Sequence, residues 1–270
     1  MPGPFEFEFM QRALLEIVLL APLSAILGTQ IALRRLAFYT HGVGTATFPG
    51  LVVAGPLGIP PALGALAVAG AFAGGLGRLG RAARLAGDSA TALLLVAALA
   101  IGIVLASDVY ESGAGVDRLL FGSLLAIGTP ELAFTGAALV VGLGAAALWR
   151  RAWIAGGFEP GTARSLGMRQ RPADWGLLAA IAVAVVAALD AVGALLVGAI
   201  LVVPAVTARI VARSVRRMEA LTGVLALIEG VAALWIAYEV DAPPGAVMAV
   251  LGGAVFFTAA VARRLGLVGA

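Results

Sequence analysis

With 270 residues, 61% hydrophobic and only 12% charged, the chain has too little polar surface to present to water as a soluble domain, which carries about 25% charged residues. Cysteine is absent, which excludes disulfides, thiolate nucleophiles and cysteine-based metal sites. The net charge of +3 does not point to nucleic acid, because the basic residues fall in short loops between apolar runs, where they orient a membrane protein.

The apolar runs approach the roughly 20 residues needed to cross a bilayer core. Residues 1–12 lack the basic start of a cleaved leader and read as a short extracytoplasmic segment, with Phe5, Phe7 and Phe9 alternating with Glu6 and Glu8. A permease-like membrane domain is expected over 13–265. Its first runs are 13–33, closed by Arg34 and Arg35, then 43–57 and 60–77, separated at Pro60-Pro61 and followed by Arg78, Arg81 and Arg84. A run over 90–107 ends at Asp108, Glu111 and Asp117. The glycine-broken stretch 119–129 reads as re-entrant or surface-lying. From Pro130 a further run reaches Trp149, where Trp149 and Trp153 read as interfacial anchors beside Arg150 and Arg151.

After a polar stretch over 155–174, residues 175–189 form a run that Asp190 is expected to interrupt, with 193–206 completing the pair. Runs over 221–238 and 246–262 close the chain. Placing the arginine clusters in the cytoplasm leaves the acidic turns 108–117 and 239–241 outside. The result is an all-α polytopic transmembrane bundle of about nine crossings, with eight to ten compatible with the pattern, in the inner (plasma) membrane.

Three features carry functional information. Residues 204–219 hold Arg209, Arg213 and Arg217 at i, i+4 and i+8, with Arg216 beside them. As one helix they would share a face, suited to an acidic partner or to anionic membrane lipids. Glu229 and Asp190 lie within apolar runs, where a carboxylate is costly and faces a bundle interior or an aqueous path, or else serves as a buried structural group or a cap. His41 is the single histidine, and with no cysteine any cation would be held mainly by oxygen donors. Asp88 reads as a helix-start carboxylate. The glycine-rich 70–80 lacks the Lys and Ser/Thr of a phosphate-binding loop, so active transport would draw on a separate energy source.

Four segments resemble the ABC-3 group of metal-ion ABC transporter permeases over about 14–265: Arg34-Arg35-Leu36-Ala37-Phe38-Tyr39; 120–127 (LFGSLLAI); 158–167 (FEPGTARSLG), similar to an "FDPE-A-ALG" stretch; and 193–209, from Gly193 through Pro204 to Arg209. The outer turn Asp241-Ala242-Pro243-Pro244-Gly245 also resembles that group. The resemblance implies a fold like that of type II ABC importer permeases. It further implies a homodimer working with two ABC ATPase subunits and an extracytoplasmic substrate-binding protein. ATP would be hydrolysed on the partner subunit, and a divalent metal ion or metal complex would be the cargo. It places the cytoplasmic coupling segment at 204–219, with Pro204, Arg209, Arg213, Arg216 and Arg217 at the ATPase, and leaves this chain without a catalytic or resident metal site. Glu229, Asp190 and His41 are then substrate-path candidates. The chain departs from the group's "D-x-x-x-H-A" pattern: His41 stands where the Asp is expected and Thr45 where the His is expected. A self-contained secondary transporter or channel, and a membrane scaffold or intramembrane enzyme, are the competing readings.

Overall fold

The computed structural model describes residues 6–82, 87–109, 127–158, 169–193 and 197–267. Everything described is helix or short connection. Six helices are long and apolar enough to cross a membrane: α1 (Glu8–Arg34), α5 (Gly87–Val109), α6 (Thr129–Phe158), α7 (Gln170–Val192), α10 (Val215–Val240) and α11 (Pro244–Arg264). Three further crossings are broken or shorter: α2 (Ala37–Ala46) with α3 (Phe48–Leu57), α4 (Pro61–Ala82), and α8 (Val197–Leu201) with α9 (Val203–Val211). The expected count of about nine agrees with this arrangement. The stretch 119–126 and most of the polar loop after Phe158 lie outside the described residues.

Hydrogen bonds fix which ends lie together. At one end Arg34 pairs with Asp174 at 2.5 Å, Arg150 with Glu219 at 2.5 Å, Arg209 donates to the Ala32 carbonyl at 2.7 Å and Arg263 to that of Ile210 at 3.3 Å. These residues close α1, α6, α9 and α11 and open α7 and α10. The arginine-bearing ends therefore share one level, the cytoplasmic one by the positive-inside rule. At the other end the rings of Phe7 and Tyr238 meet at 6.2 Å, and Pro60, Pro61, Pro130 and Glu131 line one shallow cavity.

The helices stop for local reasons. Arg35 (φ 58°) and Asp241 (φ 52°) take left-handed C-terminal positions after α1 and α10, and Gly58 does so after α3 without a Cβ penalty. Ser214 caps α10 by accepting from the Arg217 amide at 3.3 Å. The most buried helices are α1 and α7, while α5, α6 and α11 present long apolar faces outward. With lipid as the solvent such faces need no cover.

Four expectations change. Residues 8–12 are not a separate segment: they form the first turns of α1, and Met10 is fully buried. The second crossing starts at Ala37, earlier than the apolar run at 43, and turns at Thr47. Asp190 does not interrupt its helix. Its backbone is helical within α7, and the break falls at Gly193, whose φ of 84° suits glycine. Trp153 is no surface anchor: it is completely buried and donates to the Ala173 carbonyl at 2.8 Å. Only Trp149 remains partly exposed, lying across Gly176, where a side chain would collide with its ring.

The site is positioned by two irregularities that interlock. Pro22 and a wide π-turn at Ser24–Gly28 interrupt α1, and α8 gives way to α9 at Val202. Pro204 has no N–H, so the Ile200 carbonyl loses its helical donor. The Ser24 hydroxyl supplies one at 2.7 Å, fully buried, and Thr29 covers the Ala25 carbonyl of the π-turn at 2.7 Å. Irregular backbone at membrane depth is stable only when satisfied in this way. Ser24→Ala should therefore lower stability by about 1–3 kcal/mol, the usual cost of orphaning a buried acceptor. A thermal melt in detergent would check this, with Thr258→Ala as the exposed control, since that hydroxyl only back-bonds within α11.

Candidate functional site

The basic segment after Pro204 is not one helix. α9 ends at Val211, Ala212 is extended (φ −79°, ψ 135°), and α10 begins at Val215. The i, i+4, i+8 spacing thus does not give a single arginine face. Arg209 belongs to α9, Arg213 lies in the break, and Arg216 and Arg217 stand in the first turn of α10. All four are exposed. Pro204 is buried in the first turn of α9, where its missing N–H is harmless to that helix.

Beside this segment a cavity of about 590 Å³ is lined by Arg34, Arg35, Asp174, Leu177, Leu178 and Arg209, among others. Arg34 is fully committed there. Besides Asp174 it donates to the Trp153 carbonyl at 3.2 and 3.0 Å and to that of Ala152 at 3.3 Å. It ties the end of α6 and the start of α7 to the end of α1. Gly156 is required at this joint, because a Cβ would strike the guanidinium and Gln170.

At mid-depth lies Glu229. It is ten residues beyond Glu219 and nine before Tyr238, about 14–15 Å from either end at 1.5 Å per residue. It is 3% exposed. Neither carboxyl oxygen has a hydrogen-bond partner among the described residues. It sits where α9, α10 and α11 pack together. A Cβ placed on Gly252 of α11 would lie 3.1 Å from Glu229 Oε2 and 3.1 Å from Val203 Cγ1. The junction is therefore closed by α11 backbone on one side and the first residue of α9 on the other.

The other path candidates are not gathered there. His41 is half-buried on α2, one turn before Thr45, which is buried. That helix packs on α4, α5, α7 and α8. Asp190 lies near the outer end of α7, and only its backbone is described. No group of three or more His, Asp or Glu side chains converges among the described residues.

Reading the sequence missed a second buried acid. Glu16 of α1 is 1% exposed and accepts from Thr135 Oγ1 of α6 at 2.7 Å. Its signal was a charge within the first apolar run. Ser24, Gly252 and Val203 carried none, since each matters only through a contact across the bundle.

Crossings broken inside the bilayer, with a buried carboxyl beside one of them, are features that membrane transport proteins use. The ABC 3 transport family model matches residues 6–263, and the chain belongs to that family. It is a multi-pass permease subunit of the plasma membrane. Among its relatives, the chelated iron transport system membrane protein YfeD of Yersinia pestis is 31% identical over 263 residues, covering 96% of this chain and 86% of that protein. The manganese transport system membrane protein MntC of Listeria monocytogenes is 26% identical over 257 residues, 95% of this chain and 91% of that one. The fold is also that of PsaBC from Streptococcus pneumoniae in complex with Fab, with a TM-score of 0.85 at 23% identity over 94% of this chain and 91% of the matched chain.

Proposed function

We propose that this subunit imports a divalent metal ion or metal chelate. It would act as a homodimer with two ABC ATPase subunits and an extracytoplasmic binding protein, ATP being hydrolysed on the partner. The observation that carries this reading is α9. It is a nine-residue helix with a break at each end, running from the buried Glu229 junction to the exposed arginines at the cytoplasmic level. A partner pressing on Arg209, Arg213, Arg216 or Arg217 moves a rigid rod whose far end lies at mid-membrane. The relatives named for manganese and chelated iron support a metal cargo. The donors on this chain favour a cation content with oxygen ligands, since it has no thiol and one imidazole. Glu229, Asp190 and His41 are the proposed path residues. With His41 and Thr45 in place of an acid and a histidine, the path at α2 keeps one imidazole but offers manganese or iron a neutral hydroxyl in place of the pattern's carboxylate.

Affinity purification from gentle detergent tests the assembly. An ATPase and a binding protein should co-purify. Recovery of the chain alone, under conditions that hold a known importer together, favours the self-contained transporter. Within the complex, Arg213→Glu should cut ATP-driven uptake at least tenfold while leaving membrane insertion and melting temperature unchanged, because Arg213 is exposed and lies outside both helices. Uptake at the parental rate would remove Arg213 from the coupling surface.

A further inference from the structure

Resting on the importer reading above, we propose that Glu229 is a cation-binding carboxylate on the transport path and that Val203, at the head of α9, is the shutter that covers it. The chemical class of ligand is a divalent metal cation in transit.

The first ground is the state of Glu229. A carboxyl group at mid-depth is normally hydrogen-bonded or ion-paired. Here both oxygens are buried and neither has a partner among the described residues. The point above Gly252 is shared by Glu229 Oε2 and a Val203 methyl, and neither the glycine, which has no side chain, nor the methyl offers a side-chain donor there. The other buried acid, Glu16, faces Thr135 on α6 and is engaged there. Ile17 instead packs over Gly230, so α1 covers the neighbouring turn of α10 with hydrocarbon. Glu229 is held ready for a ligand that this conformation shuts out.

The second ground is the construction of the cover. α9 is the one element at the junction with a mechanical release. At its head Val202 leaves regular helix (φ −107°, ψ −49°), and the carbonyl freed by Pro204 is satisfied from α1 by Ser24, so rotation at this point need not break a helical bond of α9. At its tail the chain is extended at Ala212 before Ser214 starts α10. In between, nine residues span about 13–14 Å. The tail is moored by two arginine hydrogen bonds, Arg209 to the Ala32 carbonyl and Arg263 to the Ile210 carbonyl. An acidic group on a cytoplasmic partner competes for the same guanidinium of Arg209, since a carboxylate is a stronger acceptor than a carbonyl. Withdrawing Arg209 from Ala32 leaves the tail of α9 held by the longer Arg263 bond alone, and a shift of the rod carries Val203 away from Glu229.

One carboxylate is a weak site for a metal ion, which takes six or more oxygen ligands when held tightly. That suits a stepping point, where a cation keeps most of its water and must leave again.

The chain has no cysteine, which makes a direct test available. A Cβ placed on Gly252 would lie 3.7 Å from Val203 Cβ, within the span a disulfide needs. In the V203C/G252C permease, assembled with its ATPase and binding protein in proteoliposomes, oxidation should pin the shutter. ATP-driven uptake of Mn²⁺ should fall at least tenfold and return on reduction, whereas V203C alone should be indifferent to oxidant. Separately, Glu229→Gln should lower Mn²⁺ uptake at least tenfold with an unchanged melting temperature, and Glu229→Asp should retain a substantial part of it. Equal uptake by the oxidised and reduced double-cysteine complex, with the cross-link verified by mass, overturns the shutter. Parental uptake by Glu229→Gln overturns the site. Either result in a complex that still hydrolyses ATP and imports Mn²⁺ leaves the importer reading standing. That reading fails instead when no ATPase co-purifies.

Discussion

Gly28→Val is expected to prevent the bundle from assembling, or to lower its stability by about 3 kcal/mol or more, at the upper end of what overpacking costs. Gly28 closes the π-turn of α1 and lies directly against the Leu201 carbonyl at the end of α8, with Ala205 Cβ of α9 at 3.3 Å from the position a side chain would take. The obstacle is backbone on the other side, not the tip of a flexible side chain, so rotamer changes cannot make room. Pushing α1 away there also removes the Ser24 hydroxyl from the Ile200 carbonyl, so the steric cost is joined by an orphaned buried acceptor. Gly70→Val is the matched control, because nothing lies within 4 Å of the position its Cβ would take. Size-exclusion profiles and thermal melts in detergent compare the two. If Gly28→Val elutes and melts like Gly70→Val, the close approach of α1 to the broken crossing is wrong.

The membrane fold was legible because its governing signal, long apolar runs between arginine clusters, is local in sequence. Levels within the bundle followed from the same arginines, and the hydrogen bonds of Arg34, Arg150, Arg209 and Arg263 bring those ends together. What failed were inferences from charge to backbone. Asp190 suggests a helix end, yet a carboxylate near the end of an apolar run does not break a helix, and the left-handed position falls at Gly193. The spacing of Arg209, Arg213 and Arg217 fits one helix. Ser214 instead caps a new one, and a capping serine competes with helix continuation. Trp153 stands beside arginines as an interfacial anchor would. Its indole N–H has a carbonyl partner inside the bundle, and that contact spans 20 residues of chain.

The candidate site was half visible. An acid in the middle of an apolar run marks itself, so Glu229 was legible as a residue. Its surroundings were not, because Val203 and Gly252 are ordinary membrane residues until three helices meet. His41 illustrates the converse. It is conspicuous as the single histidine, but its helix packs away from the junction that holds Glu229. A path built from both would have to run along successive faces of the bundle and not through one cluster.

Arg34→Met should be the most disruptive single change at the cytoplasmic level, lowering stability by about 2–3 kcal/mol, somewhat less than a fully buried pair because Asp174 is half exposed. Methionine keeps the apolar stem and loses every donor. Asp174 is left without its cation, and the Trp153 and Ala152 carbonyls at the end of α6 lose theirs. Arg34→Lys should recover only part of this, since one ammonium cannot reproduce a fork that serves a carboxylate and two carbonyls together. Asp174→Asn should cost less than Arg34→Met, because the carbonyl bonds survive, and a double-mutant cycle between the two isolates the ion pair. The functional consequence reaches further than the joint. Ala32, whose carbonyl moors Arg209, is two residues from Arg34 on the same last turn of α1. Loosening that turn weakens one of the two moorings of the α9 tail without any signal from an ATPase. Arg34→Met complexes should therefore hydrolyse ATP with weaker dependence on the binding protein, in addition to melting lower. Parental melting in both Arg34→Met and Arg34→Lys would show that the fork does not hold the bundle together. Lowered melting with fully retained coupling would separate the joint from α9.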